Sequence, residues 1–77
     1  MADLVTLRQY LQRVDLDIAE AKARIAGQSR DVLRKRMSGR DPGPAAQQLE
    51  SWQTILDSMQ SHRSTLLNEI SVKESTP

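Results

Sequence analysis

RKRMSGRDPGPAA, residues 34–46, places four basic side chains, two glycines and two prolines in thirteen positions. Their order is that of one helix stopping and another starting. Arg34, Lys35 and Arg36 suit the negative end of a helix dipole, and Gly39 suits the left-handed residue that commonly closes a helix. Asp41 then reads as an N-cap with Pro42 at the first helical position, where a backbone N–H would go unbonded anyway. Pro44 still falls in the first turn and is tolerated for the same reason. With only about three residues between stop and start, the two helices must lie antiparallel.

Upstream of the bend, apolar residues fall at Leu4, Leu7, Leu11, Val14, Ile18, Ala21 and Ile25, alternately three and four apart, and the row resumes at Val32. This is a heptad seam, and it predicts a helix from about residue 3 to about 38 with Asp3 capping its start. Gly27 is the weak point inside it, at about 1 kcal/mol relative to Ala, and is a place for fraying or a kink. Gln28 takes the next seam position. Downstream, Ala45, Leu49, Trp52, Leu56, Met59, Leu66 and Ile70 keep the same spacing, with Arg63 interrupting. A second helix over 42–72 follows. Residues 1–72 then form one helical hairpin domain, and 73–77 form a mobile tail with too little apolar content to order itself.

Composition agrees with an all-α chain: Ala, Leu, Gln, Arg and Asp dominate, and the aromatics are Trp52 and Tyr10 alone. At 77 residues one core barely offsets the entropy of ordering the backbone. No cysteine is present and there is a single histidine, so neither disulfides nor a Cys/His zinc site can supply the difference. Association with another chain is the remaining route. Eleven basic against ten acidic residues leave a net charge of +1, too balanced to make nucleic acid or an anionic membrane the default partner. The opening MADLVTLRQYL lacks the basic start and long apolar run of a signal peptide, and no stretch reaches the roughly 20 apolar residues of a membrane span. A soluble, cytoplasmic protein without membrane contact is expected.

The apolar arc of the second helix covers roughly 120°, widened by Ile55 and Leu67, and Leu33 and Tyr10 widen the first in the same way. Two helices touching along one line leave such flanks wet, and a Leu or Ile yields about 1.5–3 kcal/mol only when water is excluded on all sides. The sequence therefore predicts that two hairpins dimerise into an antiparallel four-helix bundle. The shared core would be Leu4, Leu7, Leu11, Val14, Ile18, Ile25, Leu49, Trp52, Leu56, Met59, Leu66 and Ile70.

Few residues suggest chemistry. Arg30, Arg34, Lys35, Arg36 and Arg40 form the most conspicuous charge group, and such a group can hold phosphates, as in small helical bundles that bind RNA. Asp31 and Asp41 lie close to it and no aromatic is near for base stacking, so a solvated helix end is the simpler expectation. Arg63 on an apolar face is costly unless paired, with Asp15 and Asp17 as candidate partners. His62 has no acid at the spacing that makes a helical metal site, and nothing resembles a catalytic triad. No cofactor and no enzyme activity are expected. Trp52 falls on the seam, where burial in the core is favoured over anchoring a partner.

The segments IAEAKARIAGQ, SGRDPGPAAQQLESWQTIL and HRSTLLNEI together resemble a group of short, uncharacterised helical-hairpin proteins common in alphaproteobacteria. That group carries an A-E-x-x-x-R-I-A-x-Q helix, a Gly-x-Asp bend and a second helix with a short acidic-hydrophobic end. Pro42 and Pro44 stand where the group more often has polar residues. The resemblance implies a hairpin and a bacterial cytoplasm, and it carries no site residues with it. The function expected from the sequence is a small non-enzymatic protein-interaction module, a regulator, adaptor or co-chaperone, acting as a homodimer. An RNA-binding bundle using Arg30 to Arg40 is the alternative.

Overall fold

Each helix begins and ends where a specific backbone need is met. The structure, a computed structural model, describes residues 3–75. Helix α1 runs Leu4–Met37 and α2 runs Gly43–Ser75. Asp3 is extended, at φ −83° and ψ 174°, and its Oδ1 accepts the Thr6 backbone N–H at 2.8 Å, satisfying one of the donors that a helix start leaves free. At the other end Gly39 sits at φ +74°. That left-handed residue lets the Gly39 N–H donate to Arg36 O at 3.3 Å and the Arg40 N–H donate to Lys35 O at 2.8 Å. These are the paired bonds of a Schellman closure. The Ser38 hydroxyl adds a donor to Arg34 O at 2.9 Å.

The second helix starts one residue later than the sequence indicates. Pro42, not Asp41, supplies the first carbonyl of the helical ladder, accepting from Ala46 N–H at 2.8 Å. Asp41 still acts at the start, because its Oδ1 accepts the Gly43 N–H at 2.9 Å. Gly43 is well placed to be helical in front of Pro44, since it lacks the Cβ that normally clashes with a following proline ring. The connection is thus Ser38–Pro42 rather than about three residues.

The far end of α2 also differs from expectation. The segment expected to leave the helix at 73 is helical through Ser75. Arg8 donates to Glu74 across the helix pair at 2.8 Å, and the Ser75 hydroxyl bonds back to Ser71 O at 2.7 Å. Thr76 and Pro77, the rest of the expected tail, lie outside the described residues. α1 passes through Gly27 without interruption.

The two helices pack along one another as an all-α antiparallel hairpin 62 Å long and 16 by 14 Å across. Leu7, Val14 and Ile18 of α1 meet Leu66 and Ile70 of α2 in a buried cluster, with Leu4, Leu11, Leu56 and Met59 partly buried against it. This cluster sits at the end of the hairpin away from the bend. Ala21, Val32 and Ala45 are the buried apolar residues towards the bend. Ile25, Leu49 and Trp52 are half-buried, and Tyr10, Leu33, Ile55 and Leu67 remain exposed. Within one chain, then, the broad seams are only partly dry. Among the described residues no helix is long and apolar enough to cross a membrane.

Two glycines respond oppositely to a methyl group. A Cβ on Gly27 meets nothing within 4 Å, so Gly27→Ala is expected to stabilise the hairpin by about 1 kcal/mol. At Gly39 the space is also open but φ is +74°, so Gly39→Ala is expected to cost about 1 kcal/mol. Paired thermal melts check both signs. Asp3 gives a pH signature: the Thr6 backbone N–H, first among its causes, holds its carboxyl below the ordinary value. Its stabilising effect is therefore complete above the usual carboxylate range and fades as pH falls through the lowered pKa. The protection of the Thr6 amide, its exchange rate measured against the intrinsic rate at each pH, should fall in acid for the wild type, and Asp3→Asn should remove that pH dependence.

Candidate functional site

Polar residues that bridge the two helices set how the outer surface is arranged. Arg8 reaches Glu74, Arg63 Nε donates to Asp15 Oδ1 at 2.6 Å, and Gln28 Nε2 donates to Gln48 Oε1 at 2.8 Å. The Arg24 guanidinium lies 5.1 Å from the Trp52 ring centroid, within cation–π range. Partners climb on one helix as they descend on the other, so these contacts hold a single antiparallel register. Arg63 thus meets one of its two candidate acids. Asp17 instead pairs with Arg13 at 3.4 Å on its own helix. Trp52 is half-buried at the seam edge under Arg24 rather than enclosed. Its ring is too large for the narrow contact between only two helices to cover. Gln28 fills an apolar seam position, and its buried Oε1 has no hydrogen-bond partner among the described residues.

The basic group does not form one patch. Lys35 Nζ is 3.2 Å from Asp31 Oδ2 and is half-buried. Arg30, Arg34, Arg36 and Arg40 are exposed, and among the described residues none of these four forms an ion pair. Arg34, Lys35 and Arg36 occupy the last turn of α1, where cations are favoured by the dipole. Asp41, adjacent to Arg40, uses its carboxylate on the Gly43 N–H. Arg30 and Arg34 share the outer face of α1 with Leu33 and Met37, and with Ser38 these residues line a shallow open groove. The aromatics Tyr10 and Trp52 belong to other parts of the hairpin, so no stacking platform accompanies the arginines.

Chemistry beyond charge is sparse. His62 is exposed, as are Asp57 and Glu69 on the same helix. Among the described residues no group of three His, Cys, Asp or Glu side chains is arranged to hold a metal. A second groove, lined by Gln47, Glu50, Ser51 and Thr54 on α2, is polar and open.

A feature beyond the seam lies on the outside of α1. Leu16, Ala19, Ala23, Ala26, Leu33 and Met37 are all exposed and follow one another by three or four residues, with Arg30 in the remaining position of the row. At 100° per residue this row lies about 130° around the helix from the Leu7–Ile18 core line. Its signal was present in the sequence, but alanines weigh little beside the Leu, Ile and Val of the seam. The outer face of α2 has no counterpart: Gln47, Thr54, Ser58, Ser61 and Asn68 are exposed along it.

The Arg63–Asp15 bridge is half-exposed, with 42% and 47% of the two side chains accessible, and is expected to contribute little. A double-mutant cycle of Arg63→Ala and Asp15→Ala should give a coupling of about 0.2–1 kcal/mol that shrinks in high salt. Arg63→Met, which keeps the aliphatic stem in the seam, should leave the urea midpoint unchanged or raise it. The chain matches no protein-family model, no curated protein and no solved structure.

Proposed function

We propose that this protein is a small non-enzymatic protein-interaction module of the cytoplasm, a regulator, adaptor or co-chaperone, which works as a self-associated helical bundle. The observation that carries this is the area the lone hairpin leaves in water. Its accessible surface is 5783 Å², whereas a compact monomer of 8.7 kDa exposes about 4,700 Å². The excess of about 1,000 Å² is similar to the roughly 800 Å² each partner contributes to a stable interface. Half-buried Leu4, Leu11, Ile25, Leu49, Trp52, Leu56 and Met59 supply part of that surface along the seam, and exposed Leu16, Leu33 and Met37 supply more of it on the outer side of α1.

A second reading, an RNA-binding bundle, is favoured by the four exposed arginines near the bend. Two observations weaken it. Arg30 and Arg34 are interleaved with Leu33 and Met37, and no aromatic lies beside them for base stacking.

Solution mass decides the first proposal. Sedimentation at micromolar concentration should give twice 8.7 kDa, and a cooperatively folded monomer would reject it. RNA binding that falls steeply with salt and weakens with Arg34→Ala and Arg36→Ala would instead select the second reading, each phosphate contact contributing to the salt slope.

A further inference from the structure

We infer that a second copy of this chain docks antiparallel on the outer face of α1, across Leu16, Ala19, Ala23, Ala26, Leu33 and Met37. This rests on the self-association proposed above and names the face and register it uses. Three observations converge on that face. It holds three large apolar side chains that the hairpin leaves more than half exposed: Leu16 is 60% accessible, Leu33 58% and Met37 80%. Its middle is built of alanines, which allow two helix axes to approach at the short end of the usual 8–10 Å range. Finally, the row is long enough to hide the surplus surface. Gln12 to Met37 spans about 38 Å of helix at 1.5 Å per residue.

Charge selects both the occupant and the direction. Arg30 interrupts the apolar row and is without an ion pair among the described residues. A two-fold axis between Ala23 and Ala26 sets Leu16 opposite Leu33 of the second copy, Ala23 opposite Ala26, and Met37 opposite Gln12. In the same register each Arg30 comes to lie over Ala19 and beside Glu20 of the other copy. Ala19 leaves room for the guanidinium, and Glu20 supplies the counter-charge, twice by symmetry. Glu20 now holds Arg24 at 3.2 Å with both side chains more than half exposed, an exchangeable pairing. A parallel pair would instead set Arg30 against Arg30 inside an apolar strip, a like-charge contact with no relief. Because the outer row and the core line are about 130° apart on α1, the product is an open layer with α1 helices paired in the middle and α2 outermost.

The test uses the full chain and three sets of variants, with helix content checked by circular dichroism. Ala23→Lys with Ala26→Lys should weaken dimerisation about 30-fold or more, while Thr54→Lys with Ser58→Lys on the outer face of α2 should leave it unchanged. Arg30→Glu and Glu20→Arg should each weaken the dimer, and the double exchange should restore it. The two positions lie about 15 Å apart on one helix, too far to compensate within a chain. In an equal mixture, Leu16→Cys and Leu33→Cys chains should cross-link to each other on oxidation in preference to like pairs. A wild-type dimer indifferent to the Ala23 and Ala26 lysines, or a double exchange that fails to restore it, overturns the face and register but leaves self-association standing. A wild-type chain that stays monomeric overturns both, and leaves the stripe to a different protein.

Discussion

Everything in this molecule follows from each helix having a single neighbour within its own chain. A helix in a globular domain is usually covered on two or three sides, and the cost of ordering its backbone is set against apolar burial on all of them. Here α1 and α2 touch along one line, and among the described residues only Leu7, Val14, Ile18, Leu66 and Ile70 form a closed cluster. The rest of each seam is half wet. With so little interior, the polar bridges Arg8–Glu74, Arg63–Asp15 and Gln28–Gln48 matter more for the register they impose than for the energy they add. Exposed ion pairs contribute little, but a one-step slip of the helices would separate all of these partners together.

Much of the hairpin could be read from local residues because its boundaries are local. Asp3 caps α1 through a side chain three residues from its donor, and Gly39 turns the chain by a backbone conformation that glycine adopts without strain. Both are visible in the order of residues alone. The start of α2 shifted by one position because a carboxylate can bond two residues ahead as well as three, and Asp41 takes the nearer N–H, that of Gly43. The end of α2 was not legible in the same way. VKES has no apolar periodicity, and the Arg8–Glu74 contact joins residues 66 apart in sequence, which no local pattern can announce.

The surface was less legible than the core. A cluster of arginines draws attention as a unit, yet the helix turns them to different directions, sends Lys35 to Asp31, and sets Arg30 and Arg34 among apolar neighbours. The outer row of α1 has the same three-four spacing as the seam, but three of its members are alanines, which fit a solvent face and a close helix contact equally well. Only the placement of α2, on the other side of α1, shows that no other described residue covers that row.

The position of the apolar cluster bears on how the chain finds this shape. Hairpins commonly gain their firmest contacts next to the turn, where the loop to be closed is short. In this chain Leu7 meets Leu66 and Ile70 near the opposite extremity, so the best-packed side chains are those most distant along the polypeptide. The entropy of closing that span grows only logarithmically, but it falls due before the strongest packing is gained. The segment flanking the bend, held by Val32, Ala45 and a glutamine pair, is the weakly cemented part of the rod. Its breathing can proceed while the distal cluster keeps the two helices together.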